Sequence, residues 1–149
     1  MSETRPDGDA DGTALRLDLP AAPEALDDVH DQLDLVWERH DDVSVADRFR
    51  FLTAVMEILG NVAEHAYRPD VRAPQRRLEL VVTVTADELV ATISDNGVPV
   101  SLDLSTVTMP DEDAESGRGL ALALAALDDL DYERSGDRNR WRLQCVRRD

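Results

Sequence analysis

A narrow stripe of polar side chains on one otherwise apolar segment is the first candidate for chemistry. Residues 44–67 read SVADRFRFLTAVMEILGNVAEHAY, and Glu57, Asn61 and His65 recur at i, i+4 and i+8, so each lies about one helical turn above the last. A carboxylate is a candidate general base, and a carboxamide oxygen is a candidate ligand for Mg²⁺. On this segment alone, a plain solvated helix face explains the same residues, and His65 equally fits a structural role at the helix C-terminus.

The helix that must position this stripe is delimited by its own sequence. Ser44 followed by Asp47 is an N-terminal capping signature, and Pro69 ends the segment. Arg50 and Glu64 complete the polar strip. Apolar residues at helical spacing predict a wide buried face. The residues expected on that core face are Val45, Phe49, Leu52, Met56, Leu59 and Ala63, widened by Phe51, Val55, Ile58 and Val62.

A second candidate is the loop Asp95-Asn96-Gly97-Val98-Pro99, which follows an apolar strand directly. A carboxylate fixed at a strand end can accept a hydrogen bond from an exocyclic amino group. Gly97 lets the backbone approach a flat ring closely. Taken alone, Asp-Asn-Gly is also an ordinary turn sequence.

A third candidate is Ser116-Gly117-Arg118-Gly119-Leu120, which runs into a short apolar helix. Glycines before a helix N-terminus expose backbone N–H groups to an anion, and the helix dipole adds to the attraction. Arg118 adds a charged fork that suits a phosphate. A lone Gly-x-Gly also occurs wherever glycines simply start or stop an element.

The periodicity of the chain predicts how these motifs are held together. Alternating or helical spacing predicts the order β-α-α-β-β-loop-α-β-β, with residues 95–117 as a long polar loop. This order predicts an α+β fold, a two-layer α/β sandwich with helices on one face of a mostly antiparallel sheet. Residues 1–12 are expected to form a disordered acidic tail, and residues 13–149 one domain. The expected strands are 13–19, 77–85, 88–94, 132–135 and 139–146, and the expected helices are 24–40, 44–67 and 118–127.

Composition excludes several functional classes. All sixteen basic residues are arginine, so a P-loop, an ordinary protein-kinase strand lysine and a Schiff-base lysine are absent. One cysteine and three scattered histidines do not make a zinc site. A net charge of −16 argues against nucleic acid or an anionic membrane as a partner. The apolar runs are too short to cross a membrane, and we expect a soluble, cytoplasmic protein.

The ordered set of motifs is more specific than any one of them, and it resembles the Bergerat-fold ATPases, the superfamily of gyrase, histidine kinases and MutL. Glu57-x-x-x-Asn61 is similar to their N box, Asp95-x-Gly97 to their G1 box, and Gly117-Arg118-Gly119-Leu120 to their G2 box. The short lid and the His65-Ala66-Tyr67 ending resemble RsbW-type anti-sigma kinases. The resemblance covers residues 13–146.

The resemblance implies a Bergerat ATP-binding fold that binds ATP with Mg²⁺. It makes Glu57 the general base, Asn61 the metal ligand and Asp95 the reader of the adenine amino group, with Gly97 against the ring. The other residues that it assigns to nucleotide binding are His65, Ser116, Gly117, Arg118, Gly119 and Leu120. The implied partners are a sigma factor and an anti-anti-sigma (STAS-domain) protein with a phosphorylated serine or threonine, and a homodimer is an allowed assembly.

One departure from the family pattern keeps an alternative open. Some family members carry an arginine directly before the Ser-Gly of the lid, whereas this chain has Glu115 there, within the acidic segment PDEDAES. The alternative is therefore a nucleotide-dependent switch module of the same fold without significant kinase activity. A fragment of a histidine kinase is disfavoured, since no phosphoacceptor-helix segment precedes the domain.

Overall fold

The computed structural model of the chain describes residues 12–66, 77–97 and 118–148. Three helices and five strands make up this part of the protein. Along the chain they are β1 (Thr13–Pro20), α1 (Glu24–Arg39), α2 (Val45–Ala66), β2 (Arg77–Val84), β3 (Glu88–Asp95), α3 (Arg118–Ala126), β4 (Asp129–Ser135) and β5 (Arg138–Val146). Each of the elements expected from periodicity is present within three residues of its predicted limits.

The five strands form one antiparallel sheet in the order β1-β2-β3-β5-β4. The pairing of β3 with β5 places Asp95 opposite Asn139 and Glu88 opposite Val146. The turn at Gly136-Asp137 joins β4 to β5, and Gly136 has a φ of +60°, a conformation that favours glycine. The sheet register therefore brings a polar residue of β5 to the end of β3.

The helices cover one face of this sheet, which confirms the predicted two-layer α+β sandwich. Strand residues alternate between buried apolar side chains and exposed or half-buried ones, as expected for a sheet with one covered face. The buried side chains of the strands and helices form one continuous hydrophobic core. Its largest fully buried members are Trp141, Phe51, Leu33, Ile58, Leu59, Leu78, Leu80, Leu89, Ile93 and Leu143.

The core face of α2 differs from the expected one only at the start of the helix. Val45 and Phe49 were expected to be buried, but they are 77% and 69% exposed. The rest of the expected face is buried at Phe51, Val55, Ile58, Leu59, Val62 and Ala63 and half-buried at Leu52 and Met56. The predicted face was wrong at the start of the helix because the apolar residues of α2 occupy most of its circumference, so spacing alone does not show which side meets the sheet.

Arg50, which the sequence grouped with the polar stripe, has a structural role. Its guanidinium donates to the backbone oxygen of Ala126 over 2.9 Å and to that of Val146 over 2.8 Å. It also donates to Oδ1 of Asp47 over 3.0 Å. Arg50 therefore ties the beginning of α2 to the end of α3 and the end of β5.

Asp47 is buried and completes this anchor. Its backbone N–H donates to Oγ of Ser44 over 3.0 Å, which confirms the helix cap, and its Oδ2 accepts from the backbone N–H of Arg148. Burial raises the pKa of the Asp47 carboxyl, but the hydrogen bonds from Arg148 and Arg50 outweigh burial and hold the pKa below its ordinary value. The anchor thus contains an ionised carboxylate.

Both tryptophans and the cysteine are buried away from the candidate helix stripe. Trp37 and Trp141 lie in the core, with the Trp37 ring edge-on to Phe51 at 6.1 Å between centroids. Cys145 is buried, and burial raises the pKa of its thiol to about 11. Among the helices in the described ranges, none has the length and apolar content needed to cross a bilayer.

Candidate functional site

The Asp95 carboxylate is the centre of a hydrogen-bonded network at the end of β3. The residue is only 5% exposed, and its Oδ1 accepts from the backbone N–H of Gly97 over 2.7 Å. A Cβ added to Gly97 would lie 2.9 Å from the same oxygen, closer than side-chain carbons normally approach. Glycine at position 97 is therefore what allows the turn to close onto the carboxylate.

Asn139 is the second partner of Asp95 and comes from β5. Its side-chain Nδ2 donates to Oδ1 of Asp95 over 2.9 Å, and the residue is 1% exposed. The opposite end of this amide, Oδ1, accepts from the Tyr132 hydroxyl and from Nη1 of Arg134 over 3.2 Å. Because two donors face the amide oxygen, the amide nitrogen is directed to Asp95.

Arg134 and Tyr132, on β4, support the network from its outer side. Nη1 of Arg134 also donates to the backbone oxygen of Gly97 over 2.6 Å, so one guanidinium holds both Asn139 and the Gly97 turn. The Tyr132 ring packs on Trp141, with 4.7 Å between centroids. The carboxylate of Asp95 is thus fixed in position and oriented by three strands.

Glu57 and Asn61 lie on the same face of α2 as Arg50, which contacts the end of α3. They follow Arg50 by seven and eleven residues, which keeps all three side chains on one helix face. Arg50 contacts the last residue of α3, Ala126, and the two helices pack together, so α3 runs antiparallel to α2. A rise of about 1.5 Å per residue gives roughly 10 Å from Arg50 to Glu57 and about 12 Å from Ala126 to Arg118. From these lengths we expect the N-terminus of α3 to lie level with Glu57 and Asn61, which are both half-buried.

The same anchor fixes α2 relative to Asp95. The start of α2 is bonded through Arg50 to Val146, at one end of β5, whereas Asn139 and its partner Asp95 lie at the other end. Since α2 also packs on β3 and β5, we expect its C-terminal half to extend towards the Asp95 end of the sheet. This direction predicts that the carboxylate–amide pair of α2, the N-terminus of α3 and the Asp95 network lie towards the same end of the sheet.

The comparison with family models decides what this arrangement is. A model described as histidine kinase-like ATPase domain matches residues 19–145, most of the chain. The chain belongs to this ATPase family. This confirms the resemblance stated from the N, G1 and G2 motifs, and membership implies that the domain binds ATP.

Solved structures agree on the fold. One similar structure contains the RsbU and RsbW domains of Rv1364c from Mycobacterium tuberculosis, at 18% identity and a TM-score of 0.60. It matches 89% of the present chain, which spans only 32% of the mycobacterial chain. Another is the SiaB-SiaC complex from Pseudomonas aeruginosa, at 11% identity and a TM-score of 0.62, with 91% of each chain covered. No curated protein sequence matches the chain.

The residues of this ATPase domain fit the nucleotide and metal that the family implies. Asp95 offers a buried acceptor beside a turn in which glycine leaves the backbone uncovered, a combination that suits an amino group on a flat ring. Asn61 offers an amide oxygen, a ligand type that Mg²⁺ accepts, and the Glu57 carboxylate lies one helical turn away as a candidate base. Arg118, Gly119 and Leu120 are the first residues of α3, where backbone N–H groups are free of helical partners.

Some predicted site residues lie outside what the structure describes. Ser116 and Gly117 precede the described part of α3, and the lid residue Glu115 lies in the same interval. His65 lies within α2, but its side chain is not among those described. For these residues the sequence expectation stays a prediction.

Asn139, Tyr132 and Arg134 were not predicted as site residues from the sequence. The sequence does mark Asn139, because it falls on the same side of β5 as the buried residues Trp141, Leu143 and Cys145. A polar residue in phase with a buried apolar series needs a hydrogen-bonding partner. The identity of that partner depends on the register between β3 and β5, which the spacing of one strand does not contain.

Proposed function

We propose that this ATPase domain is an RsbW-type anti-sigma factor that phosphorylates a serine or threonine of an anti-anti-sigma STAS-domain protein and sequesters a sigma factor. Residues 13–149 would form this domain, acting in the cytoplasm. The single observation that carries the nucleotide assignment is the Asp95 carboxylate, buried and oriented by Gly97 and Asn139 at the end of β3. Structural likeness to an RsbW domain and to SiaB supports the choice of this subgroup by analogy of fold.

Base recognition is assigned to Asp95. Its Oδ1 is engaged by Gly97 and Asn139, and we assign Oδ2 to accept from the amino group of adenine. A guanine would present a carbonyl oxygen at the corresponding position, and two acceptors repel each other. The bare backbone of Gly97 lies against the ring, and the N-terminus of α3 with Gly117 and Gly119 receives the phosphates.

Phosphoryl transfer is assigned to the α2 pair. Glu57 takes the proton of the attacking serine or threonine hydroxyl. The hydroxyl oxygen forms a bond to the terminal phosphorus of ATP as the bond between that phosphorus and the ADP oxygen breaks. Asn61 would hold Mg²⁺ through its amide oxygen, and the ion supplies charge compensation for the phosphates in a chain that has no lysine.

The second candidate function is a nucleotide-dependent switch that binds its partners without significant kinase activity. Glu115 favours this candidate, since an acid replaces the arginine that some family members carry before the Ser-Gly of the lid. The two candidates share the nucleotide site and differ in phosphoryl transfer.

Calorimetric titration with ATP and Mg²⁺ tests the shared step. Asp95→Asn should weaken ATP binding at least tenfold, because the amide no longer offers a pair of acceptors to the adenine amino group and Asn139. Asp131→Asn is the matched control, since Asp131 is an exposed residue of β4 and its change should leave ATP affinity within twofold. Equal affinity of wild type and Asp95→Asn would show that the adenine site is assigned to the wrong residue.

A further inference from the structure

Exposed apolar residues lie at the beginning of α2 and in the middle and last turn of α3. Phe49 is 69% exposed and Val45 is 77% exposed, and both lie on the side of α2 that faces away from the core. Leu122, on α3, is 40% exposed, and Ala46 and Ala125 are exposed as well. We call these five residues the α2–α3 surface.

The charged residues next to this surface are directed elsewhere. Asp47 is buried in the anchor, and Arg50 is bonded to Ala126, Val146 and Asp47. Arg48 donates to the backbone oxygens of Val43 and Asp41, and its guanidinium lies 6.0 Å from the centre of the Trp37 ring. In a chain in which 32% of the residues are charged, the outward side of the first turns of α2 thus presents no charge of its own. Exposed apolar side chains grouped in this way on two packed helices are typical of a binding surface.

The neighbouring helix borders this surface with negative charge. Asp27, Asp31, Asp34 and Glu38 are exposed on α1 and recur at i, i+4, i+7 and i+11, so they form one stripe. Like charges at this spacing destabilise a helix, and a bound cationic partner would relieve that repulsion. Trp37 contacts Phe51 and Arg48, which places the end of α1 beside the beginning of α2.

We propose that the α2–α3 surface docks a positively charged amphipathic helix of a partner protein, with the apolar side of that helix on Phe49 and its basic residues facing the carboxylates of α1. Complementary charge favours this occupant over a second copy of the chain, since two copies at −16 each repel. Phe49 supplies the central aromatic anchor that such helix–surface contacts use.

This inference does not rest on the proposed function. The surface lies at the anchored end of α2, by Arg50, whereas Glu57 and Asn61 lie further along the helix and Asp95 at the opposite end of the sheet. A variant can therefore lose peptide docking and keep ATP binding, or the reverse. ATP titration of the same variants reports on the nucleotide site alone.

The test uses a synthetic helical peptide with leucine at i, i+3, i+4 and i+7 and arginine at the other positions. Fluorescence anisotropy measures its affinity for the protein, and amide chemical-shift mapping locates where it binds. Wild type should bind the peptide with shifts concentrated on α2 and α3, and Phe49→Ser should weaken binding at least tenfold. Leu35→Ser is the matched control, because Leu35 is 44% exposed on α1 outside the surface, and it should change affinity less than twofold.

A second pair of variants tests the role of charge. Replacing Asp34 and Glu38 by Asn and Gln should weaken binding several-fold at low salt and much less at high salt, because salt screens exposed charges. Replacing Asp129 and Asp131, which are exposed on β4, by Asn should change the affinity for the peptide little.

Four outcomes would overturn the proposal. One is binding of the arginine peptide that Phe49→Ser leaves unchanged. Another is equal binding of a peptide that carries glutamate in place of arginine. The third is a concentration-dependent dimer of the wild type that Phe49→Ser abolishes, which would assign the surface to a second copy. The fourth is failure of the wild type, correctly folded by circular dichroism, to bind the arginine peptide at all.

Discussion

The side-chain amide of Asn139 donates to the carboxylate of Asp95 across 2.9 Å, and so joins the beginning of β5 to the end of β3. Tyr132 and Arg134 hold the other end of the amide. Asn139 is therefore the residue through which β4 and β5 orient the carboxylate assigned to adenine.

Removing this amide should affect both stability and nucleotide binding. Asn139→Ala should lower the free energy of unfolding by about 1–3 kcal/mol, because the buried Asp95 and Tyr132 groups lose a partner. ATP affinity should fall by about tenfold. Gln144→Ala is the control, since Gln144 also carries a side-chain amide on β5 but bonds Glu88 instead. Urea unfolding and calorimetry measure the two effects, and a loss of stability with unchanged ATP affinity would restrict Asn139 to a structural role.

Gly97 and Gly60 provide a matched pair of glycine substitutions. Gly97→Ala should weaken ATP binding by roughly tenfold, because the new Cβ would lie 2.9 Å from Oδ1 of Asp95 and force the turn away from it. Gly60→Ala, in α2, meets no atom within 4 Å and should stabilise the helix by up to about 1 kcal/mol. Thermal unfolding and ATP titration separate the two results. Normal ATP affinity in Gly97→Ala would contradict a close approach of this turn to the base.

The two polar residues of α2 should separate chemistry from binding. Glu57→Gln should retain ATP but reduce phosphoryl transfer to a STAS-domain protein by about a hundredfold or more, as expected when a general base is lost. Asn61→Ala should instead weaken the Mg²⁺-dependent part of ATP binding, because a metal ligand is removed. Transfer from labelled ATP is measured with Glu79→Gln, exposed on β2, as the control. Wild-type transfer by Glu57→Gln would exclude its role as the base.

The anchor at the beginning of α2 should make the free energy of unfolding depend on pH in the acidic range. The folded pKa of Asp47 lies below its ordinary value of 3.8, so its ionised form stabilises the fold above pH 3.8, and this contribution is lost as the pH falls through the lower folded pKa. Asp47→Asn should therefore cost about 2 kcal/mol at pH 7, and progressively less below pH 4. Urea unfolding of both proteins from pH 7 to pH 2.5 measures this difference. A cost that stays constant with pH would mean that the charge of Asp47 contributes nothing.

Cys145 should resist alkylation in the folded protein. Its thiol has a pKa raised from 9.0 to about 11, chiefly by burial, which lowers the thiolate fraction at pH 8 by about a hundredfold. Burial also hinders access of the reagent. Labelling with iodoacetamide, measured by mass spectrometry, should be at least a hundredfold slower in buffer than in about 8 M urea, which unfolds domains of this size. Comparable rates in the two conditions would show that the β5 end opens readily.

The local part of the fold could be predicted from the sequence because it is encoded by residues close together in the chain. Alternation predicted the strands, helical spacing predicted α1, α2 and α3, and Ser44 predicted the cap at the start of α2. The site residues Glu57, Asn61, Asp95 and Gly97 were also predicted this way, since each motif spans only a few positions and their order along the chain is characteristic.

Tertiary packing decided what spacing left open. The apolar residues of α2 extend around most of the helix, so only the contacts with the sheet determined that Phe51 is buried and Phe49 exposed. Arg50 has the type and spacing of a site residue, but the backbone oxygens of Ala126 and Val146, far away in sequence, make it an anchor. Asn139 reaches Asp95 through a strand register between residues 44 positions apart. Such long-range pairings depend on how whole elements pack, and local periodicity does not encode that information.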